Sequence, residues 1–437
     1  MEQLLEKARI FAFWGLDFLK GGAIRKHYKD IKILLENFNS EHSQNKRASY
    51  LQDLLKHAVT TTNFYSEYDK FKDLTDFPII NKIVLRDHSK DMFSRDFRDK
   101  STYKMSSSGS TGITTTAYQD KRKRDRNTAD IFYFQEKAGF TPGYRLYYLR
   151  KWLEKYKKSG LTTWMRNIVM VDVTTFNDAY IAELISKMEK DRSTKVILAY
   201  SSALREICNY LERTNAAPLN TNFSCIIAMA ESISDQTRTA VKNYFKTEVV
   251  SRYSNLENGI FGLQFPDMGQ GYHLNWASYY FEILNLEDDT AVAPGELGRV
   301  VITDLFNYNM PIIRYDTGDL AILSYDNEYF NAAPIFTTVV GRKMDVIYDT
   351  TGKPRSSFIV AALEAYQNVK QFQLIQEGQK NYTIKLNIDN TFEHEEELIK
   401  IYREYLGNDA QIRFDYVNEI PLLASGKRRL TVNNYYK

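Results

Sequence analysis

The first 75 residues show the hydrophobic spacing of α-helices. Leu51, Leu54, Leu55 and Ala58 recur at intervals of three and four positions, which places them on one helix face. Few glycines interrupt this stretch, so we expect it to be helical. The segment is predicted to lead into the body of the protein rather than to hold its site.

From about residue 100, short β-rich runs alternate with helical ones. This alternation predicts a largely parallel sheet with helices covering both faces. The predicted strands are Arg145–Leu149, Asn167–Val171, Lys195–Tyr200, Cys225–Met229 and Glu248–Ser251, and the predicted helices are Asp178–Lys190, Ser202–Arg213 and Asp235–Tyr244.

Turn residues become dense between Gly295 and Ile347, where the strands Arg299–Thr303 and Leu320–Ser324 are expected to be antiparallel. The last ninety residues are expected to form a compact unit of their own. Its predicted strands Gln371–Gln376, Tyr382–Ile388 and Gln411–Tyr416 surround a helix. A boundary near Arg342–Asp345 then divides the chain into residues 1–342 and 343–437. The predicted class is α/β, with a large N-terminal domain of mixed sheet flanked by helices and a small α+β C-terminal domain.

Composition agrees with a folded protein and argues against one class of partner. The 437 residues are 43% hydrophobic and 14% aromatic, far from the composition of disordered chains. A formal net charge of +3 gives no field strong enough to imply nucleic acid as the main partner. The one dense basic run, Lys121–Arg124, is expected to be a solvated helix face, with a phosphate-binding patch as the alternative.

The chain shows no segment with the length and apolarity of a transmembrane helix or the pattern of a signal peptide, so a soluble cytoplasmic protein is expected. Cys208 and Cys225 are expected to be buried free thiols in a reducing compartment. The first helix, which carries Phe11, Phe13, Trp14, Leu16 and Phe18 among Lys7, Arg9 and Lys20, is expected to pack on its own domain, with a membrane-surface helix as the alternative.

A run of hydroxyl side chains and glycines is the first candidate for chemistry: Ser106, Ser107, Ser108, Gly109, Ser110, Thr111 and Gly112. Such a turn offers backbone N–H groups and O–H donors to a polyphosphate. Serine-glycine runs are also common in plain loops. The sequence lacks the Gly-Lys-Ser/Thr ending of a Walker A motif, so a P-loop ATPase is disfavoured.

Five further motifs follow in order. They are Ala230-Glu231, the segment Tyr253–Glu257, the segment Tyr315–Leu320, Gly341-Arg342 and Ser425-Gly426-Lys427. Each has an ordinary structural explanation, such as a helix cap for Glu231 or a turn residue for Asp319. With all of these motifs in this order, the sequence resembles the adenylate-forming superfamily, and within it the phenylacetate-CoA ligase and capsular polysaccharide (CapK-like) branch. Residues 54–65 (LLKHAVTTTNFY), 77–82 (FPIINK) and 310–315 (MPIIRY) carry the resemblance to the branch.

The resemblance implies a role for each motif. The loop Ser106–Gly112 would cradle the β- and γ-phosphates of ATP, and Glu231 belongs to the nucleotide-binding residues. Tyr253 would stack on adenine, and Asp319 would bind the ribose hydroxyls with Arg342 close by. Glu257 would help to hold magnesium, and Lys427 would reach the substrate carboxylate and the α-phosphate.

The implied reaction joins a small carboxylic acid to ATP and then to an acceptor. The acid attacks the α-phosphorus to give an acyl-adenylate, and a thiol, expected to be that of coenzyme A, then takes the acyl group. Residues 1–342 would be the adenylation domain and residues 343–437 a mobile lid. An amine or a carrier-protein thiol as acceptor, and a non-catalytic nucleotide-binding scaffold, are the alternatives.

Departures from the family pattern affect three positions. Met344 replaces an aspartate at the expected hinge, Ile113 replaces a lysine after the phosphate loop, and Ser254 occupies a usual glycine position. The segment after Glu257 contains His273 but no cysteine, so a zinc site is not expected. His273 is expected to be structural, with a place in the acyl pocket or near a metal as the alternative.

Overall fold

The computed structural model describes residues 2–106, 116–152, 157–268, 271–326, 333–342, 346–355, 363, 366, 368–388, 391–421, 423 and 429–435. The helices in this part of the chain are α1 (Glu2–Leu19), α2 (Ala23–Glu36), α3 (Glu41–Thr61), α4 (Lys82–Asp87), α5 (Lys121–Lys137), α6 (Gly160–Met165), α7 (Asp178–Lys190), α8 (Ser201–Arg213), α9 (Asp235–Phe245) and α10 (Glu395–Leu406).

The strands up to the middle of the chain are β1 (Tyr103–Ser106), β2 (Thr116–Gln119), β3 (Arg145–Arg150), β4 (Ile168–Asp172), β5 (Lys195–Tyr200), β6 (Phe223–Met229), β7 (Val249–Asn255), β8 (Gly259–Gln264), β9 (Tyr272–Leu274) and β10 (Tyr279–Leu284). They are followed by β11 (Leu297–Asp304), β12 (Tyr315–Ser324), β13 (Ile335–Arg342), β14 (Ile347–Tyr348), β15 (Pro354–Arg355), β16 (Val369–Gln376), β17 (Asn381–Ile388), β18 (Gln411–Tyr416) and β19 (Thr431–Asn433).

An 11-stranded mixed sheet in the order β10-β11-β12-β13-β9-β8-β7-β6-β5-β3-β4 dominates the fold. Its β4-β3-β5-β6-β7 part is parallel, as the strand and helix alternation predicted. From β7 onward the neighbours run antiparallel, which confirms the expectation for residues 295–347. The sheet changes from parallel to antiparallel pairing at β7, the strand that carries Tyr253.

Helices cover both faces of the parallel part of the sheet. Ile197 and Ala199 of β5 lie in the core shared with α7, α8 and α9. Val196 and Leu198, which alternate with them, lie in the opposite core with Phe140. Because every residue of β5 is buried, the strand is apolar along its length rather than alternating.

The C-terminal residues have a core of their own. A four-stranded sheet in the order β18-β17-β16-β19 packs against α10 through residues such as Leu374, Ile384 and Tyr402. The predicted α+β character of this region is confirmed, with β16 and β17 antiparallel and β17 and β18 parallel. The division at residue 342 stays a prediction, because residues 343–345 lie outside the described part of the chain.

The basic run Lys121–Arg124 on α5 is a solvated face at three of its four positions, as expected, but Lys123 turns inward. Lys123 is fully buried, with its Nζ 2.6 Å from Oδ2 of Asp304. Arg126 is also fully buried and pairs with Asp30. Lys121 and Arg124 are exposed. A helix that lies between a sheet and α2 turns every third or fourth residue inward, and here those residues are cations paired with carboxylates, that of Asp304 fully buried and that of Asp30 partly exposed.

Cys208 and Cys225 are buried free thiols, as predicted. The described residues include no helix with the length and apolarity to cross a membrane.

Candidate active site

A two-stranded hairpin brings together the two ends of the predicted phosphate loop. Ser106, the last residue of β1, is in register with Thr116, the first residue of β2, and their hydroxyl oxygens lie 3.1 Å apart. Residues 107–115, which hold Ser107, Ser108, Gly109, Ser110, Thr111, Gly112 and Ile113, lie outside the described part of the chain. The hairpin therefore fixes where the loop starts and ends.

The far end of this hairpin is tied to Glu257. Gln119, the last residue of β2, donates a hydrogen bond of 2.9 Å from Nε2 to the carbonyl oxygen of Glu257. Both side chains are buried, with Gln119 1% and Glu257 2% exposed. Gly259 begins β8 at a φ of +126°, and a Cβ there would lie 2.8 Å from the side-chain oxygen of Asn127. This close approach lets the turn that holds Glu257 pack against α5.

A lysine that the sequence analysis did not assign to the site lies beside Glu257. Lys82 Nζ is 3.7 Å from Glu257 Oε1, and the lysine side chain is 20% exposed. Lys82 is the first residue of α4, whose N-cap residue Asn81 accepts hydrogen bonds from the backbone N–H groups of Ile83 and Val84. The cap fixes the start of the helix and so the position of Lys82.

Two of the segments that carry the branch resemblance, residues 77–82 and 310–315, pack together and hold α4 in place. Ile80 donates its N–H to the carbonyl of Arg314 at 3.0 Å, and its own carbonyl accepts from Asp316 at 2.8 Å. The Arg314 guanidinium donates to the carbonyl of Phe77 at 3.0 Å and pairs with Glu282 at 2.9 Å. The pattern in residues 77–82 was therefore the available signal for Lys82.

Tyr253 and Asp319 are joined directly. The Tyr253 hydroxyl donates a hydrogen bond of 2.8 Å to Oδ2 of Asp319 across 66 residues of sequence. Burial and the neighbouring carboxylate raise the pKa of Tyr253 well above its usual value, so the hydroxyl keeps the proton that it donates. Asp319 on β12 is in register with Arg342 on β13, which places these two predicted nucleotide-binding positions side by side in backbone.

Glu231 makes the helix-cap contact that its structural explanation anticipated. Its Oε2 accepts a hydrogen bond of 3.0 Å from the backbone N–H of Ser202 at the start of α8. Its Oε1 is buried without a hydrogen-bond partner. A cavity opens beside it, and Ser202, Arg205 and Leu430 are among the lining residues. Glu231 therefore stands at the edge of a polar cavity at the carboxyl end of β6.

Glu257 has the character expected of a magnesium ligand. Its Oε1 is buried and has no hydrogen-bond partner, although Lys82 lies near it. Magnesium is commonly held by one or two carboxylates together with substrate phosphates and water, so a full protein cage is not required. Among the described residues, none of the acidic, histidine and cysteine groups form a cluster of three or more that could hold a metal.

His273 lies in the core. It is 1% exposed, its ring lies 5.5 Å from that of Phe134, and burial lowers its pKa to about 3. The imidazole is therefore neutral at physiological pH. Lys427, the predicted catalytic lysine, and Met344 lie outside the described residues.

Comparison with known proteins shows what the chain is similar to. Residues 347–434 match the family model described as the CapK C-terminal domain. Protein CapK of Staphylococcus aureus is 23% identical over 444 residues, covering 96% of this chain and 95% of that protein.

A crystal structure of 2-hydroxyisobutyryl-CoA ligase in the postadenylation state superposes with a TM-score of 0.72 at 14% identity, covering 92% of this chain and 91% of the ligase. The chain has an acyl-CoA ligase fold. The acyl-CoA ligase fold is also shared with ATP-bound MatB from Rhodopseudomonas palustris, at a TM-score of 0.53 and 16% identity over 75% of this chain and 66% of MatB. The predicted fold class and the resemblance to the adenylate-forming, CapK-like proteins are thereby confirmed.

Proposed function

We propose that the protein is an ATP-dependent ligase that activates a small carboxylic acid as an acyl-adenylate and transfers the acyl group to a thiol, that of coenzyme A. The observation that carries this proposal is the 2.8 Å hydrogen bond between Tyr253 and Asp319. It joins two residues that the resemblance assigns to the adenine and the ribose of ATP. Four positions beyond Tyr253 lies Glu257, so their Cα atoms are at most about 14 Å apart.

This span suits a nucleotide triphosphate laid along the end of β7. The Tyr253 ring and the Asp319 carboxylate would hold the nucleoside. The hairpin that ends at Ser106 and Thr116, hydrogen-bonded to Glu257 through Gln119, would present the phosphate loop at the other end. Magnesium, when bound at Glu257, would neutralise phosphate charge as it develops.

In the first step, an oxygen of the substrate carboxylate attacks the α-phosphorus, and the bond from that phosphorus to the β-phosphate oxygen breaks to release pyrophosphate. In the second step, the thiol, after losing its proton, attacks the acyl carbon and AMP leaves. Two anions must approach each other in the first step. Lys82 beside Glu257, and Lys427 from the C-terminal region, would supply the cations that lower this repulsion.

The C-terminal residues 343–437 would act as the lid that delivers Lys427, with residues near 342 as the hinge. The CapK resemblance favours an acid that becomes a substituent of a surface polysaccharide. Measuring AMP and pyrophosphate release with aryl, short-chain, hydroxy and amino acids, with and without coenzyme A, identifies the acid and the acceptor together.

Acid-dependent formation of AMP and pyrophosphate is the expected result. Glu257→Gln should lower the rate by about a hundredfold, whereas Glu248→Gln, an exposed carboxylate on the same region of the chain, should leave it unchanged. Lys427→Ala should abolish acid-dependent pyrophosphate formation. Release of ADP and phosphate would refute adenylation, and ATP binding without turnover of any acid would identify a non-catalytic nucleotide-binding scaffold.

A further inference from the structure

The first helix exposes its apolar side to solvent. Leu4, Phe11 and Phe18 follow one another at intervals of seven and are 72%, 79% and 77% exposed. Leu19 beside them is 80% exposed. At 100° per residue these side chains form one stripe along a helix of 18 residues, about 27 Å long. Scattered exposed leucines are ordinary, but a continuous stripe of this length marks an interaction surface.

The acidic residues of α1 point the other way. Glu6 is 4% exposed and accepts a hydrogen bond of 2.7 Å from the backbone N–H of Thr194. Asp17 is 6% exposed and accepts from the backbone N–H groups of Ile24 and Arg25 at 3.1 and 3.0 Å. The helix therefore docks on its own domain partly through these carboxylates and leaves Leu4, Phe11, Phe18 and Leu19 outside.

Aromatic contacts hold the inner side of the helix firmly. Phe13 lies 4.7 Å from Phe132 of α5, and Trp14 lies 5.9 Å from the same ring. The expectation that this helix packs on its own domain is thus confirmed for one side. The exposed stripe is not a consequence of a detached helix, because these contacts fix its orientation.

Cations border the stripe. Lys7 and Lys20 are exposed on α1 and just after it, and Arg25 and Lys26 are exposed at the start of α2. Arg25 lies over the ring of Trp14 at 5.4 Å. In a two-fold contact between copies of this chain, the same patch would face itself and bring these like charges together. The surface of an anionic lipid bilayer can bind both the apolar stripe and the cations that border it.

A second exposed apolar group lies on α6, which the turn at Gly143 connects to α1. Leu161 and Trp164 of α6 are 68% and 67% exposed. Gly143 links the two helices: a Cβ on it would lie 2.5 Å from the Glu6 carbonyl oxygen, and its own carbonyl accepts from Asn167, which follows α6. Tryptophan favours the boundary between water and lipid headgroups.

We propose that the outer side of α1, with Leu4, Phe11, Phe18 and Leu19 bordered by Lys7, Lys20, Arg25 and Lys26, binds the surface of an anionic lipid bilayer. The helix lies parallel to the bilayer, its apolar stripe inserted at the headgroup level and its cations against lipid phosphates. The proposal is independent of the ligase activity.

Sedimentation of the full chain with vesicles tests the proposal. The protein should pellet with vesicles of phosphatidylcholine and phosphatidylglycerol, and much less with pure phosphatidylcholine. Phe11→Ser together with Phe18→Ser should lower the partition coefficient at least about tenfold. Lys7→Gln together with Lys26→Gln should weaken binding to anionic vesicles and reduce its salt dependence. Tyr405→Ser, which changes an aromatic residue that is 45% exposed on α10, is the matched control and should bind as the wild type does.

The exposed positions make misfolding of these variants unexpected, and thermal unfolding without vesicles checks it. Sedimentation velocity without lipid tests the alternative that a second copy of this chain binds the surface. The wild type could instead form a dimer that Phe11→Ser and Phe18→Ser dissociate, and fail to bind vesicles. In that case the surface is an interface between copies and the proposal is overturned. Equal binding to both vesicle compositions, or binding that the phenylalanine substitutions leave unchanged, also overturns it.

Discussion

His273 should make folding stability depend on pH. Burial lowers its pKa from 6.5 to about 3 in the folded chain, whereas in the unfolded chain the ring titrates near 6.5. Its contribution is therefore fully present above pH 6.5 and is lost as the pH falls from 6.5 toward 3, because only the unfolded state takes up the proton there. Between pH 7 and pH 5 the loss is about 1.4 pKa units at 1.36 kcal/mol each, or ~2 kcal/mol.

The substitution His273→Leu removes the titrating ring and keeps a buried side chain of similar volume. Urea unfolding at pH 7 and pH 5 gives the free energy of unfolding for each protein, and the quantity of interest is the difference between the two pH values. Any packing change appears at both pH values and cancels. The variant should lose ~2 kcal/mol less than the wild type. His42→Gln, which removes an exposed imidazole, is the control.

His27 should remain as a second source of pH dependence in the His273→Leu variant. Its pKa is lowered to about 4, first by burial and then by the charge of Arg126. The sign is the same, so stability is again lost as the pH falls below 6.5. If the wild type and His273→Leu lose equal stability between pH 7 and pH 5, the assigned neutral state of His273 is wrong.

Three further outcomes test the site and the core. Tyr253→Phe should weaken ATP binding about tenfold, because it removes a hydrogen bond to a carboxylate. In a double-mutant cycle measured by calorimetric titration, this effect should largely vanish when Asp319→Asn is already present. Additive effects of the two substitutions would contradict the contact. Lys82→Met should lower the pyrophosphate-exchange rate more than ATP affinity, and an unchanged rate would remove Lys82 from the site. Lys123→Met should destabilise by about 3–5 kcal/mol because Asp304 is left buried and unpaired, and adding Asp304→Leu should restore much of that stability in urea unfolding.

The strands and helices of the parallel region were predictable from sequence because each element is decided by a local pattern. The strand Lys195–Tyr200 and the helix Asp178–Lys190 have the predicted bounds. The pairing that makes one 11-stranded sheet was not predictable in the same way. It depends on β9, three residues long, which joins β8 to β13, and such a short strand leaves no periodicity to detect.

Charge on α5 illustrates a second limit of linear patterns. A basic run usually indicates a solvent-exposed helix face, yet Lys123 within the run and Arg126 just after it are fully buried. Their partners Asp304 and Asp30 are remote in sequence, and no spacing rule joins a lysine on a helix to an aspartate at the end of a distant strand. Only the packing of α5 over the sheet reveals that both charges are compensated.

The candidate site shows the same dependence on tertiary structure. The motif Tyr253–Glu257 was visible from sequence, but Lys82 was noticed only as part of a segment typical of the branch. Its placement beside Glu257 requires Ile80 to pair with the backbone of residues 314–316 and Asn81 to start α4. Lys82 thus brings a cation to Glu257 from an element remote in sequence. The positive charge beside Glu257 is therefore set by the packing of two segments that lie far apart in the chain, which no local pattern in either segment reveals.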